Sequence, residues 1–182
     1  MDLTGVRMRA KQRILRIVCL LLLVFAITGP RWGYRWQEAR TRGLAIIFAV
    51  DVSKSMLATD VQPNRLERSK LAIFDFLTRV KGNKVGLVAF AGTGFLQCPL
   101  TTDFNAFNGA LGGLNIRSIP RGGTAIGEAI NVARKAFQNE TTDSKILILI
   151  TDGENHEGDP VKEAQTAAKE GIAIYTIGIG SK

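Results

Sequence analysis

From Gly43 onward, nearly unbroken apolar runs alternate with stretches whose apolar residues recur at helical spacing. The runs are Leu44–Val50, Val85–Phe90, Lys145–Ile150 and Ile172–Ile177. A strand without polar residues at alternate positions has no face for water, so Leu44–Val50 and Val85–Phe90 read as strands buried on both faces. The stretches between them carry helix signals. Asn64 followed by Glu67 has the form of a capped start, Leu66, Ile73, Leu77 and Val80 share one face, and Gly82 follows the end. Asp103 heads a helix bearing Phe104, Phe107, Leu111 and Leu114. Thr124 opens another, with Ile126, Ala129, Ile130, Ala133 and Phe137 on one face. Asp159-Pro160 pairs a cap with a first-turn proline, and Val161, Ala164 and Ala168 then face inward as far as Gly171. Phe95–Cys98 reads as a short edge strand, because Pro99 cannot donate to a ladder. Strands alternating with helices predict an α/β fold: a doubly wound, mostly parallel central sheet with helices on both faces. A chain of 182 residues, 46% hydrophobic and 22% charged, holds about one such domain and an appendage.

Charge separates the appendage from the body. Residues 1–42 hold nine Lys/Arg against two acids, whereas residues 43–182 hold fifteen against fourteen, so the formal +8 belongs to the first segment. A near-neutral body without a basic stripe is poorly suited to gripping a phosphate backbone. Two cysteines, Cys19 and Cys98, make no disulfide framework and no C-x-x-C zinc motif, and read as free thiols in apolar surroundings. Residues 17–29 carry no charge. Ile14 and Leu15 extend the run, Arg16 can snorkel, and Trp32, Tyr34 and Trp36 have interfacial-belt composition. Arg13 to Trp32 spans about 30 Å as helix, the thickness of a bilayer core. A cleaved signal peptide is a weaker reading, since Ala26-Ile27-Thr28 is a poor cleavage site. A buried or interfacial helix would need a polar face or a core, and residues 17–27 offer no polar face. The prediction is a retained transmembrane anchor in residues 1–42, with residues 28–43 as linker, ahead of a body over 43–182. Basic residues are denser before the span than after it, which predicts a cytoplasmic amino terminus and a body outside the cytoplasm.

In a doubly wound sheet, ligands bind beyond the carboxyl ends of the strands. There the chain places Asp51-Val-Ser53-Lys-Ser55, Gly122-Gly123-Thr124 and Thr151-Asp152-Gly153. Asp51, Ser53 and Ser55 alternate, so an extended backbone would point all three the same way. Two carboxylates and three hydroxyls form an all-oxygen set suited to Mg²⁺ or Mn²⁺. His156 is not expected to be a ligand.

These three motifs, in this order and strand context, resemble the metal-ion-dependent adhesion site (MIDAS) of von Willebrand factor A (vWA) domains, over residues 44–180. The stretch Asp51-Val-Ser-Lys-Ser-Met-Leu-Ala-Thr-Asp-Val-Gln-Pro-Asn-Arg-Leu66 is similar to the membrane-anchored proteins of the Bacteroides aerotolerance type (BatA/BatB-like). The resemblance implies that Ser53, Ser55 and Thr124 bind the metal by their hydroxyls. Asp51 and Asp152 would bind directly or through water, leaving one position for a partner's Asp or Glu. It also implies an inner-membrane protein, single-pass in this chain, with a periplasmic body. Assembly with related vWA membrane proteins and a functional link to a MoxR-type AAA+ ATPase follow from it too. Such domains continue past the last strand, so the resemblance implies a chain truncated at its carboxyl end.

Other motifs are less informative. The acidic stretch from Asp152 to Asp159 lacks a calcium loop's sixth-position glycine and reads as a solvated rim. Asn139-Glu-Thr141 fits a common glycosylation pattern, Gly92-Thr-Gly94 reads as a turn, and neither a P-loop nor a G-x-S-x-G elbow is present. Two function classes follow: a non-enzymatic binding module whose metal captures a partner carboxylate, or a metal-dependent phosphohydrolase using Asp51 as nucleophile. The second lacks a neighbouring acid or base.

Overall fold

The computed structural model describes residues 15–26, 43–80, 82–142, 144–153 and 158–180. The chain divides into two compact units, Met1–Ala39 and Arg40–Lys182. In the first, residues 15–26 form a helix, α1, exposed along its whole length. Cys19 lies on it as an exposed free thiol. The predicted span from Arg13 to Trp32 runs beyond the described residues at both ends, as do the Trp32, Tyr34 and Trp36 belt and most of the linker. Among the described residues, no helix is long and apolar enough to cross a membrane.

The second unit is the predicted α/β body. Its strands are β1 (Leu44–Asp51), β2 (Lys84–Phe90), β3 (Gly94–Thr101), β4 (Ser144–Thr151) and β5 (Ile172–Gly178). They lie in the order β3-β2-β1-β4-β5. β1 pairs in parallel with both β2 and β4, β4 pairs in parallel with β5, and β3 runs antiparallel to β2. β3 is the edge strand that Pro99 predicted, and its pairing with β2 is irregular around Leu87. The central strands are the unbroken apolar runs because helices cover both faces.

On one face, Ile46, Phe48 and Val50 of β1 pack with residues of α2 (Arg65–Arg79) and α3 (Phe104–Gly113). Phe48 meets Phe76 and Phe107 edge-on, with ring centroids 5.7 and 5.8 Å away. On the other face, Ala45, Ile47 and Ala49 pack with α4 (Ile126–Ala136) and α5 (Pro160–Lys169). Ala129 and Ala133 of α4 lie in this layer beside Phe90 and Phe137, while Phe48 and Phe107 lie in the opposite one. The predicted caps form. Asn64 Oδ1 accepts from Glu67 N–H, Asp103 Oδ1 from Asn105 and Ala106 N–H, and Asp159 Oδ1 from Lys162 N–H.

Two details of the predicted helices are corrected. Thr124 does not open α4: the helix begins at Ile126, with Ala125 at its cap position. Gly123, at φ +109°, turns the chain ahead of it, and Thr124 is drawn inward as part of the connecting segment. The inner face of α5 is Ala164 and Ala167, whereas Val161 and Ala168 are exposed. Adjacent alanines at 167 and 168 give the periodicity nothing to choose between them, and the choice is made by packing on α4 and β5.

The aromatic layer generates a stability prediction. Phe107 is fully buried and leans edge-on against Phe48. Phe107→Ala should destabilise the body by roughly 3–5 kcal/mol, the usual cost of a large core cavity. Phe76→Ala, at a partly exposed position, should cost less. Denaturant unfolding measures both, and a Phe107→Ala loss below about 1 kcal/mol would contradict the packing described.

Candidate metal centre

The parallel register places the ends of β1, β2 and β4 side by side. Asp51 is the last residue of β1 and pairs with Phe90, while Val50 pairs with Ile150. Val52 N–H donates to Phe90 C=O at 2.8 Å, which carries the β1–β2 ladder one residue past Asp51. The backbone then turns. Ser53 stands at the cap of a short 3₁₀ helix, Lys54–Leu57, pinned from below by the fully buried Met56. Convergence of Asp51, Ser53 and Ser55 therefore comes from this turn, not from the continued extended backbone that alternation suggested. Ser53 N–H donates to Asp51 Oδ1 at 2.8 Å, and the Ser53 and Ser55 hydroxyl oxygens lie 2.9 Å apart.

Thr124 reaches the same end of the sheet through its connecting segment. Ala125 N–H donates to Ala91 C=O at 2.7 Å, and Gly92 N–H donates to Arg121 C=O at 3.1 Å. The approach is so close that a Cβ on Gly92 would fall 2.1 Å from Gly122 O. Gly92, read as turn chemistry, is thus required for backbone contact. Thr124 is only 2% exposed. Asp152 directly follows β4. Gly153, at φ +92°, sits in the left-handed region that glycine tolerates, and its N–H donates to Thr151 Oγ1 at 3.2 Å.

Three participants were not singled out by the sequence. Thr151 Oγ1 donates to Asp51 Oδ2 at 2.8 Å. Arg65 Nη1 donates to Asp152 Oδ2 at 3.0 Å. Asp60 takes the other side of the same guanidinium, through Arg65 Nε and Nη2 at 2.9 Å each. Arg65 and Asp60 lie in the stretch that carried the family resemblance, but one read as part of a helix start and the other as loop.

The electrostatics follow from burial. Asp51 is fully buried, and desolvation pushes its carboxyl above the ordinary range. Hydrogen bonds from Ser53 and Thr151 oppose that rise, and the nearby Asp152 charge adds to it. The Asp152 side chain is also nearly inaccessible. Its Oδ1 is buried and has no hydrogen-bond partner. An orphaned carboxylate oxygen costs free energy unless a cation or water satisfies it.

Two carboxylates, three hydroxyls and an unsatisfied buried oxygen fit a hard divalent cation. Among the described residues, no group of three or more His, Cys, Asp and Glu could hold a metal ion; the donor set here instead relies on hydroxyls. The acidic rim residues Glu154 to Glu157, including His156, lie outside the described residues.

The fold is shared with known proteins. The chain is 44% identical to the crystal structure of the conserved hypothetical protein BatB from Bacteroides thetaiotaomicron, with a TM-score of 0.71 over 75% of this chain and 66% of that one. An aerotolerance-related membrane protein from Bacteroides fragilis is 40% identical, with a TM-score of 0.72 over 76% of this chain and 68% of that one. Proximal thread matrix protein 1 from the mussel byssus, solved with a zinc-occupied MIDAS motif, is 29% identical, with a TM-score of 0.65 over 78% of this chain and 37% of that one. The chain spans about half the length of the curated relatives it matches, 48% and 53% of two of them. The family model of the von Willebrand factor type A domain matches residues 46–154, and the chain belongs to that family, with BatB-type membrane proteins among its structural neighbours.

Proposed function

We propose that this chain is a non-enzymatic, membrane-anchored vWA module that uses a divalent metal, Mg²⁺ or Mn²⁺, to capture an acidic residue of a protein partner. The observation that carries the reading is Asp152 Oδ1, buried and unpartnered beside Asp51 at the strand ends. Ser53, Ser55 and Thr124 would hold the cation by their hydroxyls, and Asp51 and Asp152 directly or through water. Asp51 orients the Ser53 backbone, and Thr151 holds Asp51. When bound, the cation supplies an electrophilic position that a carboxylate can fill. In a partly desolvated crevice that attraction exceeds its value in bulk water.

The zinc-occupied motif of the mussel protein supports a divalent ion here, and the donor chemistry favours the harder Mg²⁺ or Mn²⁺. The Bacteroides fragilis relative is a membrane protein, and with the apolar run 17–29 this supports an inner-membrane anchor and a periplasmic body. Partners of the proposed complex are related vWA membrane proteins, with a MoxR-type AAA+ ATPase linked functionally. The phosphohydrolase alternative needs Asp51 to attack a phosphorus centre. Asp51 is instead fully buried, with both carboxylate oxygens accepting hydrogen bonds.

Two predictions test the reading. The raised pKa of Asp51 means that its own contribution to the stability of the metal-free body is fully present below the ordinary Asp value of 3.8. That contribution is lost as pH rises through the raised folded value, because the unfolded chain then holds fewer protons than the folded one. Asp51→Asn should therefore raise the melting temperature in EDTA at pH 7. It should also remove the further rise that Mg²⁺ gives the wild type. A variant that is destabilised in EDTA, or that keeps the Mg²⁺ increment, would count against the assignment of Asp51.

The second concerns the partner. Thr124→Ala should weaken both Mg²⁺ and partner binding at least ten-fold, and excess EDTA should do the same to the wild type. Partner affinity on membranes solubilised with the chain, with circular dichroism as the folding control, measures this. Undiminished affinity in both cases would place partner docking away from the metal site.

A further inference from the structure

Arg65 occupies the first position of α2. A cation there opposes the positive end of the helix dipole, so helix stability gives no reason for it. Its guanidinium instead bridges two carboxylates that the sequence holds far apart. Nε and Nη2 form a fork on Asp60, and Nη1 reaches Asp152 Oδ2, 87 residues away, at 3.0 Å. The backbone beneath is fixed as well: Arg65 N–H donates to Ala58 C=O at 3.1 Å, and its C=O accepts from Ser69 Oγ at 2.8 Å. Gly180, just past β5, leaves room on the far side, since a Cβ there would come within 3.3 Å of Arg65 Nη2.

The consequence for Asp152 is specific. A carboxylate can present either oxygen to a cation, and free rotation would blur the choice. Here Oδ2 is engaged by Arg65 and Oδ1 is left buried without a partner. We infer that Arg65, braced by Asp60, is a positioning residue of the metal site, which turns Asp152 so that Oδ1 alone is offered to the divalent cation. This rests on the metal reading above. Because Asp60 already balances the guanidinium charge, Arg65 acts on Asp152 through orientation rather than through net charge. Lysine cannot replace this function. It carries the charge but not the planar fork that grips Asp60 by two nitrogens while a third reaches Asp152.

The test uses the full chain in detergent, with Mg²⁺ as the probe. Affinity is measured by calorimetry, and melting temperature is measured in EDTA and in saturating Mg²⁺. Arg65→Lys should weaken Mg²⁺ binding about 10–100-fold, the usual cost of losing an outer-shell partner, while the EDTA melting temperature changes little. Asp60→Asn, which loosens the brace but keeps Arg65, should weaken it by a smaller factor in the same direction. A merely structural tether would behave oppositely: the EDTA melting temperature would fall and Mg²⁺ affinity would stay at the wild-type value, overturning the inference. If Arg65→Lys does not fold, unchanged affinity in Asp60→Asn overturns it by itself. Absence of Mg²⁺ binding by the wild type would instead remove the metal reading, and this inference with it.

Discussion

The two parallel pairings of β1 are the constraint from which the rest of the site follows. With β2 on one side and β4 on the other, all running the same way, three strand ends meet at one rim of the sheet. Asp51 and Asp152 then become neighbours although about a hundred residues of chain separate them. Ala91, at the end of β2, receives the segment that carries Thr124. An antiparallel neighbour in place of β4 would send Asp152 to the opposite rim. β1 is buried on both faces, in a layer with Phe107 on one side and in a layer with Ala129 and Phe137 on the other, and this makes the arrangement stable against slipping. A one-residue shift in register would exchange the Ile46-Phe48-Val50 set for the Ala45-Ile47-Ala49 set, and neither layer would accept the other's volume.

That rim concentrates unfavourable electrostatics. Two carboxylates are removed from water, one of them completely, and the Arg65 guanidinium that meets Asp152 is shared with Asp60. Hydrogen bonds from Ser53 and Thr151 offset part of the desolvation of Asp51, while Asp152 keeps one oxygen unsatisfied. Local departures from what stability would favour tend to mark functional sites. The same rim holds a helix-start arginine set against the dipole, glycines at positive φ, and a glycine pressed against a neighbouring backbone.

Much of this was legible in the sequence because each layer of the argument has a local signal. Strands buried on both faces leave unbroken apolar runs, so β1, β2 and β4 are visible directly; β5 is an apolar run too, although as an edge strand it leaves Tyr175 and Ile177 exposed. Pro99 marks the edge, and Asn64, Asp103 and Asp159 mark helix starts by capping chemistry. The motif residues are visible because each follows a strand. What stayed hidden has no local signal. The hydrogen bond from Thr151 to Asp51 and the grip of Arg65 on Asp152 join residues 100 and 87 positions apart. Thr124 looked like a helix start because a threonine before an apolar face usually is one. The close backbone approach at Gly92 draws it into the connecting segment instead. The inner face of α5 was misplaced at Val161 and Ala168, which are exposed, and the choice of Ala167 over Ala168 is one that only packing can decide.

The central claim is that one divalent cation binds at the meeting point of the three motifs. Anomalous diffraction from a crystal soaked in Mn²⁺ tests it most directly. The account predicts a single strong peak within coordination distance of the Ser53, Ser55 and Thr124 hydroxyls, with Asp51 and Asp152 beside it and Arg65 still on Asp152 Oδ2. A peak elsewhere, or none at this rim at saturating Mn²⁺, would contradict it.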